Sequence, residues 1–348
     1  MKKFKLTFVA VLFVLFLVVP IISVFGTEED SWETLADVPT GRLGAGVAAV
    51  NGKIYVIGGY SQGPLNNNEE YDVNTDTWAI KKRMPTRSNF AIAVYQNKIY
   101  CIGGMVESIT EPVTGLNEVY DPLTDAWETK AQMPTPREFM DANVIDGKIY
   151  VIGGSKPFNP NEPSYVPNIN EVYDPETNTW SNAIPPPVQV SNYASAVFDN
   201  KIYIFTEHLT QIFDPQTNSW SNGTSMPNHG WGAAAGATTG NFAPKRIYVL
   251  GGNPTFNYNQ IYDPETDTWT LGASMPTNRY GLGVAVINDA IYAIGGPGAN
   301  AMVANERYTP TGYIPEFSSW TILLIFLVTI LCALVIKKRL FHQRTLST

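Results

Sequence analysis

One unit is written six times in this chain. The copies align on an Ile-Tyr pair: KIYVIGG (53–59), KIYCIGG (98–104), KIYVIGG (148–154), KIYIFTE (201–207), RIYVLGG (246–252) and AIYAIGG (290–296). The tyrosines follow one another at steps of 45, 50, 53, 45 and 44 residues. A repeat of this length is one supersecondary unit. It cannot bury both of its faces alone, so its neighbours must stack against it.

Each unit contains four strand-like pieces. The first is small and apolar, as in GAGVAAV and GLGVAVI; the second is the alternating Ile-Tyr segment; the third ends in an aromatic-Asp step and the fourth carries Trp. Sheets of four strands set radially around an axis form a β-propeller, in which small residues suit the crowded innermost strand. Gly (28) and Pro (25) are abundant and charged residues are 16%, as expected of short strands joined by tight turns.

The spacing within the third and fourth pieces is constant. Tyr71/Trp78, Tyr120/Trp127, Tyr173/Trp180, Phe213/Trp220 and Tyr262/Trp269 are all seven residues apart. Asp followed by Pro pre-sets a type I turn, so the two strands return in register and the aromatics face one another. Asp72, Asn74 and Asp76 could suggest a calcium loop, but no bidentate carboxylate closes it, and turn chemistry is the expectation. No metal and no cofactor is expected.

The glycine pairs Gly58/Gly59, Gly103/Gly104, Gly153/Gly154, Gly251/Gly252 and Gly295/Gly296, followed by Tyr-Asp-Pro and then Trp, resemble the kelch repeat over Ser31 to Pro310. The resemblance implies an all-β, six-bladed kelch β-propeller. The last copy has no Trp after Tyr308, while an orphan Trp32 opens the chain in SWETLADVPT. The N-terminal strand is therefore expected to close the ring opposite Tyr308, which removes the open sheet edges.

Both chain ends read as membrane segments. Lys2, Lys3 and Lys5 precede a long apolar run that ends in small residues near Gly26, a signal peptide (1–26) or an uncleaved anchor. Ser319–Ile336 is 18 residues without a charge, enough for a C-terminal transmembrane α-helix, and 337–348 is a basic tail. The positive-inside rule places that tail in the cytoplasm and the propeller, 27–314, outside, as a single-pass cell-surface protein. IPEF before the apolar run also resembles archaeal sorting tails built on Pro-Glu-Phe. Seven of the 23 Lys/Arg flank these ends and all 31 Asp/Glu lie between, which leaves 16 basic against 31 acidic residues outside. Such a surface repels phosphate backbones, so nucleic acid is excluded as a partner. Cys101 and Cys332 lie far apart in the repeat scheme, and no disulfide is expected.

Fold does not give function. Kelch propellers include galactose oxidase, a six-bladed mutarotase acting on sialic acid, and many protein-binding domains. Copper oxidation needs a set of imidazole ligands, and the chain has only His208, His229 and His342. The residue thirteen positions before the repeat tyrosine is Arg42, Arg87, Arg137 and Arg279, with Val190 in blade four and His229 assigned to blade five. A ring of cations at one channel mouth, with Trp231 beside it, would hold an acidic sugar or peptide, because guanidinium binds carboxylates in pairs. The resemblance supports this, since arginines at the equivalent place in some kelch interaction domains hold a peptide carboxylate. The alternative is structural: Glu69, Glu118, Glu171 and Glu306 recur two residues before the outer tyrosine, and blade four lacks both partners, having Val190 and Gln211. Trp231 is likewise open between a sugar platform and a core aromatic. The loops 105–117 and 155–168 form a second recognition surface, and Asn222-Gly-Thr is a glycosylation sequon. The expected role is binding of surface glycans or proteins, not catalysis, with a sugar-modifying enzyme or a purely structural envelope protein as alternatives.

Overall fold

The computed structural model describes residues 28–314, apart from 109–110, 157–166, 253–255 and 299–300. The expected signal segment, transmembrane helix, Pro-Glu-Phe motif, basic tail and most of the 155–168 loop lie outside the described residues. No helix among the described residues is long and apolar enough to cross a membrane. Glu28–Tyr313 forms one compact unit.

Six antiparallel four-stranded sheets make the six blades, and in five of them the strands follow one another in sequence order. The sixth sheet takes its outer strand, Ser31–Thr34, from the chain start; it pairs with Asn305–Thr309, placing Trp32 opposite Tyr308. The ring closes as the orphan Trp required.

Turn chemistry sets the register. The inner hairpins turn on two consecutive left-handed residues, Asn51-Gly52, Gln96-Asn97, Asp146-Gly147, Asp199-Asn200 and Asn288-Asp289. This is the type I′ geometry that matches strand twist, and Asn, Asp and Gly tolerate it. Blade five replaces the tight turn with a longer connection. The blade-six Asp289 secures it, accepting bonds from the Thr239, Phe242 and Ala243 amides.

The outer hairpins lock each blade to the one before it. Trp32, Trp78, Trp127, Trp180, Trp220 and Trp269 each face the aromatic of the neighbouring strand, with ring centroids 4.8–5.1 Å apart. Each of these indole N–H groups also donates, at 2.7–3.0 Å, to a carbonyl of the preceding blade. The rings are half-buried: one face covers the buried aromatic, and the other meets the surface. Two residues before each Trp stands a left-handed Asp or Asn: Asp30, Asp76, Asp125, Asn178, Asn218 and Asp267. Its side-chain oxygen accepts a backbone N–H from that same preceding blade. Except in blade four, where Phe213 replaces Tyr, it also accepts the tyrosine hydroxyl at 2.5–2.7 Å. Asp30 repeats this latch for the closing strand. Asp76 is thus engaged by the fold, and Asp72 holds the Asn74 amide at 2.9 Å and the Lys53 ammonium at 2.7 Å. The loop is turn chemistry, and no metal-ligating cluster occurs among the described residues.

The double glycines are the inner joints. In the first glycine of each pair φ lies between 55° and 72°, and a Cβ on Gly153 would stand 2.2 Å from the Val190 carbonyl oxygen of the next blade. The second glycine donates its N–H to the carbonyl that follows in the next blade. Gly59 bonds Arg87 at 2.9 Å, Gly104 bonds Arg137 at 2.8 Å and Gly154 bonds Val190 at 2.9 Å. Gly252 bonds Arg279 at 3.1 Å, and Gly296 bonds Arg42 at 3.0 Å across the closure. The motif lets adjacent blades approach closely while keeping both backbone groups bonded. Cys101 is a free, buried thiol, and burial pushes it up to about 12.

Candidate functional site at the channel mouth

The arginines do not line the channel. Arg42, Arg87, Arg137 and Arg279 precede their inner strands and are at most 1% exposed. Each makes an ion pair inside its own blade: with Glu69, Glu118 (2.7 Å), Glu171 and Glu306 respectively. Each also donates to the carbonyl of the first glycine in the blade's pair: Gly58, Gly103, Gly153 or Gly295. Burial pulls the Arg279 guanidinium down to about 10, still charged at neutral pH, and pushes the Glu118 and Glu306 carboxyls up. Both partners move against their charged forms, so desolvation outweighs attraction. Such a pair fixes geometry more than it adds stability.

The expectation of a cationic, acid-binding mouth is therefore corrected: these guanidiniums hold the double-glycine turns. Where the Arg is lost, a neutral amide takes the glutamate's place. Gln211 bonds both backbone groups of Val188 (3.0 and 3.2 Å), and Gln260 bonds both of Asn228 (2.8 and 3.4 Å). The blade-five assignment also shifts by one residue. Gly230, not His229, stands at the Arg position, because Gly232 there corresponds to Gly44, two residues after Arg42. The His229 ring instead meets that of His208 edge-on, 5.5 Å away.

The repeat residues that identify the fold also stand apart from the mouth. Trp78, Trp127, Trp180, Trp220 and Trp269 lie on outer strands, at the far edge of each blade from the channel. Gly104, Gly252 and Gly296, like Gly59 and Gly154, have their amides committed to the next blade. None of these residues lines the cavity described below, so they build the ring and touch no ligand there.

The mouth is built from the residues two positions after the arginines. Gly44, Asn89, Phe139, Asn192, Gly232 and Gly281 all have φ between 53° and 70°. Each amide donates to the carbonyl of its neighbour in the preceding blade, and the six bonds, 2.7–3.0 Å long, close a complete circle. Within it lies a cavity of about 350 Å³ whose two sides differ. Blades five, six and one contribute bare glycines with Trp231 and Tyr280, whose ring centroids are 6.4 Å apart at 33°. Blades two, three and four contribute Asn89, Phe139, Asp141, Asn143, Asn192 and Ser195. Phe139 is the bulky exception in a left-handed column, a strain of about 1–3 kcal/mol that the fold tolerates next to the cavity.

The polar side is a connected network. The Ser195 hydroxyl donates to Asp141 Oδ2 at 3.0 Å, Asn143 Nδ2 donates to Ser195 Oγ at 2.8 Å, and the Asp141 amide donates to Tyr193 Oη at 3.2 Å. Burial pushes the Asp141 carboxyl up to about 6 despite the Ser195 bonds. Asn89 Nδ2 donates to the buried Glu138 at 3.0 Å. Below the mouth the channel wall turns apolar, with Val47, Ile92, Val94, Val144, Val197, Val284 and Val286 around a second space of about 350 Å³.

Sequence places Trp231 at the mouth, and the structure shows it 37% exposed there, a platform and not a core aromatic. Its polar partners are not singled out by the repeat alignment. The signal that could find Asp141 and Ser195 is their polarity in inner strands built mainly of Gly, Ala, Val and Ile. Asn222 is exposed on the outer strand Ser219–Gly223, so the sequon is accessible.

Known proteins share this architecture. Residues 82–238 match the FKB95 Kelch-repeats domain and residues 41–85 the Kelch motif. Kelch repeat and BTB domain-containing protein 1 of Camelpox virus (strain CMS) is 30% identical over 152 residues, 43% of this chain and 26% of the viral protein. A putative F-box/kelch-repeat protein of Arabidopsis thaliana is 28% identical over 189 residues, 52% of this chain and 48% of that protein. The chain thus spans from about a quarter to about half the length of these two relatives. Among solved structures, that of YjhT superposes with a TM-score of 0.67 at 16% identity, over 78% of this chain and 95% of YjhT, a likeness of fold. Kelch repeats generally mediate protein interactions. By its repeats, its blade joints and these relatives, the chain belongs to the kelch-repeat family and is a six-bladed kelch β-propeller.

Proposed function

We propose that the protein is a binding module held at the outer face of a membrane, and that it takes a sugar ring in its axial mouth. The observation that carries this is the division of the cavity. Trp231 and Tyr280 offer flat apolar faces on one side, while Asn89, Asp141, Asn192 and Ser195 offer hydrogen-bonding groups on the other. A sugar ring has both characters, apolar C–H faces and a rim of hydroxyls. Pockets of this size commonly combine apolar walls with a few convergent polar groups. Among the described residues Asp141 is the only carboxylate on the lining and no arginine is present there, which favours a ligand that is not acidic. The membrane location rests on the apolar segments 1–26 and 319–336 and on the basic tail.

A glycan array probed with the full chain, in a detergent without a sugar headgroup, tests the reading. Binding of neutral or basic glycans is expected. Binding confined to sialylated or sulfated glycans would overturn it. A second reading, proton transfer on a bound sugar, is favoured by one observation: burial pushes the Asp141 carboxyl up to about 6 on the cavity wall, toward the range that suits a general acid or base. It is tested by NMR exchange between sugar anomers with and without the protein, where no acceleration would rule it out.

A further inference from the structure

The four carboxylates Glu69, Glu118, Glu171 and Glu306 at the blade joints are each matched by an arginine of their own blade. Asp141 is not. It lies on the cavity wall, and both donors to its carboxylate come from Ser195. No guanidinium or ammonium among the described residues pairs with it, and it is the only charged side chain among those described on the cavity lining. A half-buried carboxylate with only neutral neighbours is favoured by a cation in hydrogen-bond contact. Here that cation must come from the ligand.

The surroundings suit one. Trp231 and Tyr280 present aromatic faces across the same cavity, and aromatic faces attract cations as well as apolar rings. The segment between the chain's apolar ends carries 31 acidic against 16 basic residues, a field that concentrates cations around it.

We infer that the mouth selects an amino sugar with a free ammonium group, seated on Asp141 while the ring stacks on the Trp231 side. This inference rests on the sugar-binding reading above and specifies its ligand class. Ser195 and Asn143 orient the carboxylate, and the uncharged asparagines Asn89 and Asn192 take the ring hydroxyls.

The test is calorimetric titration of the full chain, in a detergent without a sugar headgroup, with glucosamine, N-acetylglucosamine and glucose. Glucosamine is expected to bind at least about tenfold more tightly than the other two, equivalent to about 1.4 kcal/mol. Asp141→Asn should abolish that advantage, bringing glucosamine to the level at which the same variant binds glucose and N-acetylglucosamine. Asp141→Ala is the second variant, because alanine stands at the corresponding position of other inner strands, as Ala91 and Ala194, and the fold accepts it. Equal binding of the three sugars, or a glucosamine advantage that survives both substitutions, overturns the amino-sugar inference but leaves the sugar site intact. Absence of binding to all three overturns both.

Discussion

Substituting Arg137 tests whether the arginine ring is framework. Its guanidinium is fully buried, pairs with Glu171, and donates to the Gly153 and Val151 carbonyls at 2.6 and 3.0 Å. Arg137→Val leaves Glu171, itself 2% exposed, without its cation. Stranding one partner of a buried pair costs about 3–5 kcal/mol. Glu171→Gln alone strands the arginine and should cost a similar amount. Blade four already carries the joint replacement as Val190 and Gln211, where the glutamine amide bonds both backbone groups of Val188. The double variant Arg137→Val, Glu171→Gln therefore recreates a joint this fold uses. It loses the arginine's carbonyl bonds, about 1–2 kcal/mol net. Urea unfolding of the full chain, followed by tryptophan fluorescence, gives the cycle. The double variant is expected to be more stable than either single one. If its loss equals the sum of the two single losses, the pair is not the reason these residues occur together.

Two further outcomes follow from the blade joints. Gly153→Ala should destabilise by about 1–3 kcal/mol through backbone strain alone, with the Val190 carbonyl clash added, and so lower the urea midpoint more than Gly52→Ala, whose Cβ would meet nothing within 4 Å. In acid, the latch carboxylates Asp76, Asp125 and Asp267 sit below their usual value of 3.8. Tyr71 and Tyr120 hydroxyls lead for the first two and the Thr224 amide for the third. A depressed carboxylate contributes stability that is present above its unfolded value and lost as pH falls through its folded one. The urea midpoint should therefore drop below about pH 4, and Asp→Asn at these three sites should flatten the drop, since Asn178 and Asn218 already latch as amides. Asp141, pushed up by burial to about 6, has the opposite sign: its cost is relieved as pH falls from about 6 toward 4, before the latch carboxylates titrate.

The fold was legible because its determinants are local and repeated. A seven-residue Tyr–Trp step is a hairpin register, and a missing Trp in the last copy with an extra Trp32 at the start is a closure rule. The site was less legible because it depends on which way a side chain leaves the backbone. Arg42 and its equivalents sit near the mouth in sequence, yet their side chains turn into the blade toward the carbonyl of the first repeat glycine. Only the joint loss of Arg and Glu in blade four hinted at that pairing. Counting back thirteen from Tyr248 reaches Ala235, because blade five lengthens its inner hairpin, and allowing for that longer connection reaches His229, one residue before Gly230. Trp231 could be placed, since it departs from the repeat. Asp141 and Ser195 come from adjacent blades and meet only where the two inner strands lie side by side, a contact that a within-blade alignment does not display.

Whether ligands are held by the channel mouth and not by the arginine ring is decided by one titration. The best array-identified glycan is titrated calorimetrically against three proteins: the native chain, Trp231→Ala, and the paired replacement Arg279→Val, Glu306→Gln. Trp231→Ala is expected to weaken binding at least about tenfold, the loss of one aromatic platform, while the paired replacement binds as the native chain does. Unchanged binding by Trp231→Ala, with binding lost in the paired replacement, would contradict a ligand site at the mouth.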